Sequence, residues 1–376
     1  MSGRKQHYVP RFLQAGFNSR AFAVDEAPRA WLYRKDVMPV EAALRDIGHD
    51  EWFYTFRRQG VTVECADGAI TTAETDWMAE LVDGLRRDQS LDLCIRRERI
   101  AQLLSHLVLR SRAIWEFVQS PAQPLFEKLR AAAREPLWLQ NTLTRLLTSN
   151  RPLIEAALAT MNPGIDVAST VDAEVAAFAE GKTAPAIESA ATMMSLPWEE
   201  FARRAVKLLR IRTLLDALRD PNLLTAFEGC TFKVETYFDG CMVLGDTSVV
   251  FHREGDAGYT PFHGQRATFD YAYLPLTPTK VLIASRGGTP HSWQAMRDAS
   301  VACSHTYFIA ATRNDELSAL ASSLGHSVPF VSKEQIDSMH AEAMDLAVAL
   351  DAADPELLSV FETLFSNWTK ASPHNP

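Results

Sequence analysis

The spacing of apolar residues changes at one point along this chain, and this change constrains the fold more than any other feature. From about residue 70 to residue 220, apolar residues recur three or four positions apart, as they do on one face of a helix. From Glu228 onward they alternate with polar residues, for example at Phe232, Val234 and Phe238. The sequence therefore predicts a helical body followed by a strand-rich segment near residues 228–312.

Several helices can be placed along the chain. Thr71 and Glu74 have the spacing of a capping box and predict the start of a first helix, and apolar spacing predicts a second helix at 100–118. A long helix begins at Pro197 and ends at Asp220-Pro221, because proline disfavours helical geometry in the residue before it. Shorter helices are predicted at 121–133, 137–148, 151–161, 291–303, 315–324, 333–350 and 355–369.

Two hairpins are predicted in the strand-rich segment. Asp239-Gly240 is a strong signal for a two-residue turn, so the strand before it is expected to pair with residues 241–251. The loop Thr277-Pro278-Thr279 separates apolar runs at 271–276 and 280–285 and predicts a second hairpin. Shorter strands are predicted at 30–34, 52–56 and 305–311.

The predicted fold class is α+β and predominantly helical, with many helices around a small mostly antiparallel sheet. The chain has 376 residues, which is more than the roughly 250–300 residues that one core usually serves. Two parts are therefore expected, packed together as one unit. The first, 1–225, is an amino-terminal wrap plus the helical part. The second, 226–376, is the β-hairpin sheet with the carboxy-terminal helices.

The net charge and the number and spacing of cysteines indicate in which cellular compartment the protein works and which classes of partner it can bind. The formal net charge of −9 and the pI near 5.6 argue against a general surface for nucleic acid or anionic membrane. The five cysteines include no Cys-x-x-Cys pair, as expected for free thiols in a reducing compartment. No apolar window is long enough for a membrane helix, and the basic start lacks the apolar stretch of a signal peptide. A cytoplasmic protein without a membrane partner is therefore predicted.

The amino end is positive on an otherwise negative protein, because the first 24 residues contain four basic residues and no acidic one. His7 lies in this stretch, and an imidazole that titrates near neutral pH can move a proton while Lys5 and Arg11 attract a phosphate. The alternative is structural. In that interpretation, His7 and Tyr8 lock the amino-terminal segment onto the body through hydrogen bonds and stacking. The sequence leaves both interpretations open.

The same amino-terminal segment carries a resemblance. Residues 5–13, with the sequence Lys-Gln-His-Tyr-Val-Pro-Arg-Phe-Leu, resemble the opening of a bacterial domain-of-unknown-function family identified by its His-Tyr-Val-Pro start. Where family members have Ser-Asp-x-Pro, this chain has Gly245-Asp246-Thr247-Ser248. The resemblance implies a shared fold and no particular chemistry. Later segments resemble the family's landmarks in the same order: Gly16-Phe17, Trp31-Leu32-Tyr33, Phe53-Tyr54-Thr55, Glu74, Arg110-Ser111-Arg112, residues 245–249 and residues 274–278.

Two arginines and one aspartate are further candidate site residues. Arg110 and Arg112 cannot face the same way on a helix, because residues two positions apart are not neighbours. One of them is expected to point inward and to need a carboxylate or a phosphate, with Glu74 or Asp246 as the carboxylate. Asp246 follows Gly245 after a predicted strand, where a side chain can be aimed into a cleft. A turn-forming aspartate is the alternative.

Standard catalytic motifs are absent from the sequence. It contains no Gly-x-Gly-x-x-Gly, no Gly-x-x-x-x-Gly-Lys-Ser/Thr, no His-Glu-x-x-His and no Gly-x-Ser-x-Gly. A loop after residue 251 contains residues that could bind a metal ion or a phosphate, although without the spacing of a metal site. These residues are His252, Arg253, Glu254, His263 and Arg266.

These observations lead to one functional hypothesis and one alternative. The hypothesis is a phosphodiester-directed enzyme, most simply a nuclease of the effector or defence type, with nucleic acid as its partner. Its cofactor is open, with a divalent metal ion as the candidate, and Asp246 would orient either the imidazole or that metal. The alternative is a non-enzymatic scaffold or sensor that binds a protein partner. The predicted catalytic residues are His7, Asp246 and Arg112, and the predicted phosphate-binding residues are Arg11, Arg110 and Lys5.

Overall fold

The chain divides into two compact units. The first comprises residues 1–119 and 204–330, and the second comprises residues 120–203 and 331–376. The predicted boundary after residue 225 falls inside the first unit, which contains all the sheets described below. The computed structural model describes residues 4–19, 27–58, 61–87, 96–113, 144, 148, 151–152, 155, 166–180, 198–219, 227–253, 258–261, 269–287 and 291–327.

The amino-terminal segment forms short strands and one short helix before the longer helices begin. Its apolar clusters are too short to show a helical period, and they suit strands with one buried face. The elements are β1 (Lys5–His7), α1 (Arg11–Gln14), β2 (Arg29–Arg34), β3 (Val37–Ala43), β4 (His49–Glu51), β5 (Thr55–Arg58) and β6 (Val61–Cys65), with 3₁₀ turns at Ala15–Phe17 and Leu44–Asp46.

The helices follow the predicted apolar spacing but differ at their ends, except that no helix was predicted at 167–179. They are α2 (Asp67–Ala73), a π-helical turn (Glu74–Met78), α3 (Ala79–Arg87), α4 (Arg97–Arg110), α5 (Val167–Ala179) and α6 (Trp198–Arg219). The capping box predicted from Thr71 and Glu74 is wrong, because α2 already begins at Asp67 and no side chain caps it. The backbone leaves helical geometry at Ser111, so Arg112 lies beyond the end of α4.

The carboxy-terminal half of the described chain is mainly strands. Its elements are β7 (Thr231–Thr236), β8 (Leu244–Gly245), β9 (Val250–Arg253), β10 (Tyr259–Thr260), β11 (Phe269–Pro275), β12 (Lys280–Ser285), α7 (Trp293–Ala302), β13 (Tyr307–Ala310) and α8 (Asp315–Leu320), followed by a 3₁₀ turn at Ala321–Ser323. Ser292 and Asn314 cap α7 and α8 by accepting backbone N–H groups of the first turn. The helices predicted at 121–133, 333–350 and 355–369 lie outside the described residues.

The described strands form four antiparallel sheets, so the predicted fold class, predominantly helical around one small sheet, is wrong. The largest sheet has the strand order β10-β9-β11-β12-β7, and a second has the order β3-β2-β13-β8. β1 pairs with β4, and β5 pairs with β6, as two-stranded ribbons. Seven of the thirteen described strands have four residues or fewer, which is too short for alternation to be recognised in a sequence.

One predicted hairpin forms and the other does not. β11 and β12 pair antiparallel, so the hairpin around Pro278 is confirmed. β7 also pairs with β12, and after Asp239-Gly240 the chain crosses to the four-stranded sheet, where β8 pairs with β13. Neither Asp239 nor Gly240 has the positive φ that a type I′ turn requires. The N–H groups of Tyr237 and Met242 donate instead to the loop around Pro278, each at 2.8 Å.

Both faces of the five-stranded sheet are covered by apolar side chains. On one face, Leu274 and Leu282 belong to the largest apolar cluster, which includes Leu103 of α4 and Ile211 of α6. On the other face, residues of β11 and β12 pack against α7. Strands buried on both sides read as continuous apolar runs, which is why β11 and β12 could be predicted from sequence. Within the described residues, no helix combines the length and the apolar character needed to cross a membrane.

Arg86, at the end of α3, anchors the amino-terminal segment to this sheet. Its guanidinium donates to the backbone oxygens of Phe12, Leu13 and Leu276 at 2.9, 2.8 and 3.0 Å. Gly16 lies against the same place, and a Cβ on it would be 2.1 Å from the Leu276 carbonyl oxygen. Only glycine allows the segment to approach this closely.

We therefore expect Gly16→Ala to lower the free energy of unfolding by about 1–3 kcal/mol, the usual cost of overpacking a tight contact. Gly68→Ala is the matched control, because a Cβ on Gly68 in α2 has open space around it. Alanine at that helical position should add up to about 1 kcal/mol. Denaturant unfolding of both variants measures the difference, and equal effects would show that the contact at Gly16 is misassigned.

Candidate functional site

A buried arginine connects the amino-terminal segment to the helices. Arg110, at the end of α4, is almost completely buried. Its Nη2 donates to the His7 carbonyl oxygen at 2.5 Å, its Nε donates to the Tyr54 hydroxyl at 2.8 Å, and its Nη1 pairs with Glu74. These partners offset the loss of hydration that a buried guanidinium suffers. Of the two arginines considered from the sequence, Arg110 is thus the inward one, and its carboxylate is Glu74.

Glu74 reaches Arg110 from the π-helical turn between α2 and α3. Such turns interrupt the regular helical spacing and redirect the side chains that they carry. Burial alone would lower the pKa of the Arg110 guanidinium, but Tyr54 and Glu74 raise it. Arg110 therefore stays charged and holds the segment in place.

His7 lies next to this network, with its ring against a second histidine. In the β1–β4 ribbon His7 is opposite His49, and the two ring centroids are 5.4 Å apart. Burial, and then the neighbouring His49 and Arg11, lower the pKa of His7 to about 4. Its Nε2 is buried and has no hydrogen-bond partner among the described residues. The imidazole is therefore neutral and only weakly basic near pH 7.

Asp246 is bound to the backbone that leads into β13. One carboxylate oxygen accepts the His305 N–H at 2.6 Å, and the other accepts the N–H and the hydroxyl of Thr306 at 2.7 and 2.6 Å. Burial raises the pKa of this carboxyl, and the bonds from Thr306 and His305 oppose that rise. Gly245 has no room for a side chain, since a Cβ would be 1.8 Å from the Ser304 hydroxyl. Asp246 thus fixes the loop before β13, and the bonds that its carboxylate accepts come from that loop and not from the turn in which it lies.

The three remaining predicted residues lie around the β1–β4 ribbon. Lys5 donates to Asp46 at 2.9 Å, and Arg112 lies 3.7 Å from Asp50, both in partly exposed pairs. Arg11 is exposed and lines a cavity of about 720 Å³.

Asp246 and Arg112 both interact electrostatically with Tyr8. Burial, and then the charge of Asp246, raise the pKa of Tyr8 to about 12, while Arg112 opposes that rise. The hydrogen bonds of Asp246 go to the loop before β13, and those of the His7 carbonyl go to Arg110 and Tyr54. The structure therefore places the predicted residues in one region but does not join His7 and Asp246 into a reacting pair.

A histidine–aspartate pair occurs elsewhere, on the face of the five-stranded sheet that packs against α7. His252 of β9 is opposite Tyr271 of β11, and the register shifts between Phe269 and Tyr271. Asp270 is thus an extra residue, a β-bulge, and such bulges redirect side chains. The Asp270 carboxylate lies 3.1 Å from Nδ1 of His252.

Three further rings surround His252. The Tyr271 ring stacks on it at 5.0 Å, and the rings of Tyr259 and His291 approach it at steep angles at 5.1 and 4.7 Å. The Tyr259 hydroxyl lies 2.9 Å from the Tyr271 hydroxyl and 2.8 Å from Nδ1 of His291. The His291 N–H donates to the Tyr271 hydroxyl at 3.3 Å. We call His252, Asp270, Tyr259, Tyr271 and His291 the sheet-face cluster.

The sheet-face cluster has the arrangement of an acid–base centre. A carboxylate at Nδ1 selects the tautomer that carries its proton there, which leaves Nε2 as a lone pair. Nε2 of His252 is buried and finds no hydrogen-bond partner among the described residues. His291, the second imidazole, is exposed. Burial first, and then the bond to Tyr271, raise the pKa of Tyr259, so both hydroxyls stay protonated near neutral pH.

The sequence indicated His252 as a candidate ligand but did not indicate its partners. Asp270 and His291 have no motif spacing to His252, and only strand pairing and the bulge bring the three together. The available signal was an aspartate near the start of the tyrosine-rich strand β11. Among the other predicted ligands of this loop, Glu254, His263 and Arg266 lie outside the described residues. In the part of the chain that is described, no three His, Cys, Asp or Glu side chains are placed to hold a metal ion.

Comparison with known proteins does not add a name to this site. No family model, no curated protein and no solved structure matches the chain. The resemblance to the His-Tyr-Val-Pro family therefore stays a prediction, and function has to be argued from the chemistry of the site itself.

We expect Arg110→Met to lower the free energy of unfolding by about 3–5 kcal/mol. The substitution leaves the Glu74 carboxylate, the His7 carbonyl oxygen and the Tyr54 hydroxyl without the guanidinium that donates to them. Arg112→Ala is the control on the same segment. It removes a partly exposed pair with Asp50 and a contact with the Tyr8 ring, and it should cost clearly less than Arg110→Met. Denaturant unfolding monitored by tryptophan fluorescence measures both values. Similar losses for the two variants would contradict the central position of Arg110.

A pH dependence of stability should follow from His7. Its pKa is about 4 in the folded chain and near 6.5 in an unfolded one, so between these values the unfolded chain binds more protons. The free energy of unfolding should therefore fall as pH drops from about 6.5 to about 4. His7→Gln should make this fall smaller, and His326→Gln, at an exposed site, should not. Unfolding curves at pH 7 and 4.5 test this, and an unchanged difference for His7→Gln would refute it.

Proposed function

We propose that this protein is a phosphodiester-directed enzyme of the nuclease type, with its reaction centre at the sheet-face cluster. One observation carries the proposal. The imidazole of His252 is oriented by Asp270 through Nδ1, while its Nε2 lies unpaired beside a second, exposed imidazole. An oriented base next to a second titratable group is the arrangement that general acid–base catalysis uses.

An RNA strand is the substrate that these two groups suit best. RNA carries its own nucleophile, the 2′-hydroxyl, so cleavage needs a base for that hydroxyl and an acid for the leaving oxygen. The 2′ oxygen forms a bond to phosphorus as its proton passes to Nε2 of His252. The bond from phosphorus to the 5′ oxygen breaks, and that oxygen takes a proton from Nε2 of His291. The products are a 2′,3′-cyclic phosphate and a free 5′-hydroxyl end.

Tyr259 and Tyr271 orient the imidazole of His291, the proposed general acid. When Tyr259 donates its hydroxyl proton to Tyr271, its oxygen accepts the proton on Nδ1 of His291, 2.8 Å away. His291 then presents Nε2–H to the leaving oxygen. His291 is exposed, so substrate can reach this imidazole from solvent.

Cleavage of a fluorescent RNA oligonucleotide tests the proposal, with and without Mg²⁺ and with a strand that has 2′-deoxyribose throughout as the matched substrate. We expect cyclic phosphate ends from RNA and no cleavage of the deoxy strand. His252→Ala and His291→Ala should each slow cleavage by about 10²–10⁴-fold, the usual contribution of a general acid or base. His326→Ala controls for loss of an exposed imidazole. RNA left intact under every condition would overturn the proposal and favour the scaffold or sensor alternative.

Asp270 acts as a positioning residue, and its role has a separate readout. Asp270→Asn keeps a hydrogen-bonding group near Nδ1 but no longer favours the tautomer with its proton there. We expect slower RNA cleavage with an unchanged free energy of unfolding, and a shift of the His252 ring ¹⁵N resonances toward the other tautomer. Unchanged resonances together with unchanged cleavage would exclude this role.

A further inference from the structure

The cavity beside the β1–β4 ribbon has the features of a second, separate site. We propose that it binds a small phosphomonoester with an apolar ring, of the size of a mononucleotide. This inference does not rest on the proposed RNA cleavage, because none of the residues that line the cavity belongs to the sheet-face cluster.

The size and the lining of the cavity suit such a ligand. Its volume is about 720 Å³, within the range of roughly 300–1,000 Å³ that small-molecule sites occupy. Phe12, Pro28 and Leu44 provide apolar surface, and alanines leave the space between them open. An aromatic ring such as Phe12 offers a face on which a planar base can stack.

The polar part of the lining is cationic. Arg11 and Arg45 are both exposed and both line the cavity. Within the described residues, Arg11 has no acidic partner. Arg45 lies 3.6 Å from Asp46, a carboxylate that Lys5 also holds at 2.9 Å.

The acid in the cavity wall does not cancel this charge. Glu74 is paired with the buried guanidinium of Arg110, so its charge is already balanced within the protein. An anion entering the cavity therefore meets two guanidinium groups and no unbalanced acid among the described lining residues.

Two guanidinium groups match a phosphate dianion better than a single carboxylate. Each guanidinium can donate two parallel hydrogen bonds to phosphate oxygens, and charge-assisted bonds of this kind are the strong ones. With cations and an apolar surface in one cavity, the ligand needs a terminal phosphate and an apolar ring within the length of one nucleotide. A cavity of about 720 Å³ has room for one nucleotide and not for a strand.

Isothermal titration calorimetry of the full chain with AMP tests the proposal, with adenosine, ribose 5-phosphate and inorganic phosphate as separate probes. We expect saturable 1:1 binding of AMP and at least tenfold weaker binding of each fragment. The double variant Arg11→Ala/Arg45→Ala should weaken AMP binding at least tenfold. Arg34→Ala, at an exposed site on β2, is the matched control and should bind like the wild type.

A variant that fills the cavity tests AMP binding without changing the charge of the protein. Ala15→Trp places a large ring in the cavity from an exposed position, and it should abolish AMP binding while the unfolding curve stays that of a folded protein. His252→Ala should bind AMP normally, which separates this site from the proposed RNA cleavage. Absence of AMP binding, binding that survives both cavity variants, or binding of RNA oligonucleotides without binding of AMP would each overturn the proposal.

Discussion

The buried guanidinium of Arg110 is the interaction on which the first unit depends. A charge removed from water is tolerated only where several acceptors converge on it, and here the acceptors come from β1, the segment before β5 and the π-helical turn. Segments that are distant in the sequence are thereby fixed at one point. His7, Tyr54, Glu74 and Arg110 meet in this network, although the first and the last are more than 100 residues apart in the sequence.

The fold could be predicted where the spacing of apolar residues within a single helix or strand was sufficient to identify it. The apolar spacing of α4 and the two-sided apolar runs of β11 and β12 are local, and both were readable. The order of strands is not local. Asp239-Gly240 has the composition of a tight turn, yet the bonds from Tyr237 and Met242 to the loop around Pro278 decide its conformation. The strands of the amino-terminal segment were missed as a sheet because each needs a distant partner before its short pattern has meaning.

The candidate site shows the same limit in chemical terms. The sequence indicated a histidine, an arginine and an aspartate as candidates, but not the groups with which each of them shares its hydrogen bonds. Asp246 was predicted to orient His7 or a metal ion, because the bonds that its carboxylate accepts from the backbone N–H groups of His305 and Thr306 have no signature in a sequence. Asp270 was not predicted as a site residue, because only the pairing of β9 with β11 brings its carboxylate to His252.

The bulge at Asp270 has a consequence for how this protein could change over evolutionary time. The carboxylate faces His252 because β11 has one residue more than β9 at that point. Deletion of one residue next to Asp270 would restore regular pairing between β9 and β11, and the aspartate would then no longer face His252. Both histidines and the sheet core would stay in place. The orientation of this carboxylate and the architecture of the sheet are therefore encoded separately. Under the proposed function, an active enzyme and an inert copy with the same fold would differ by a single inserted residue.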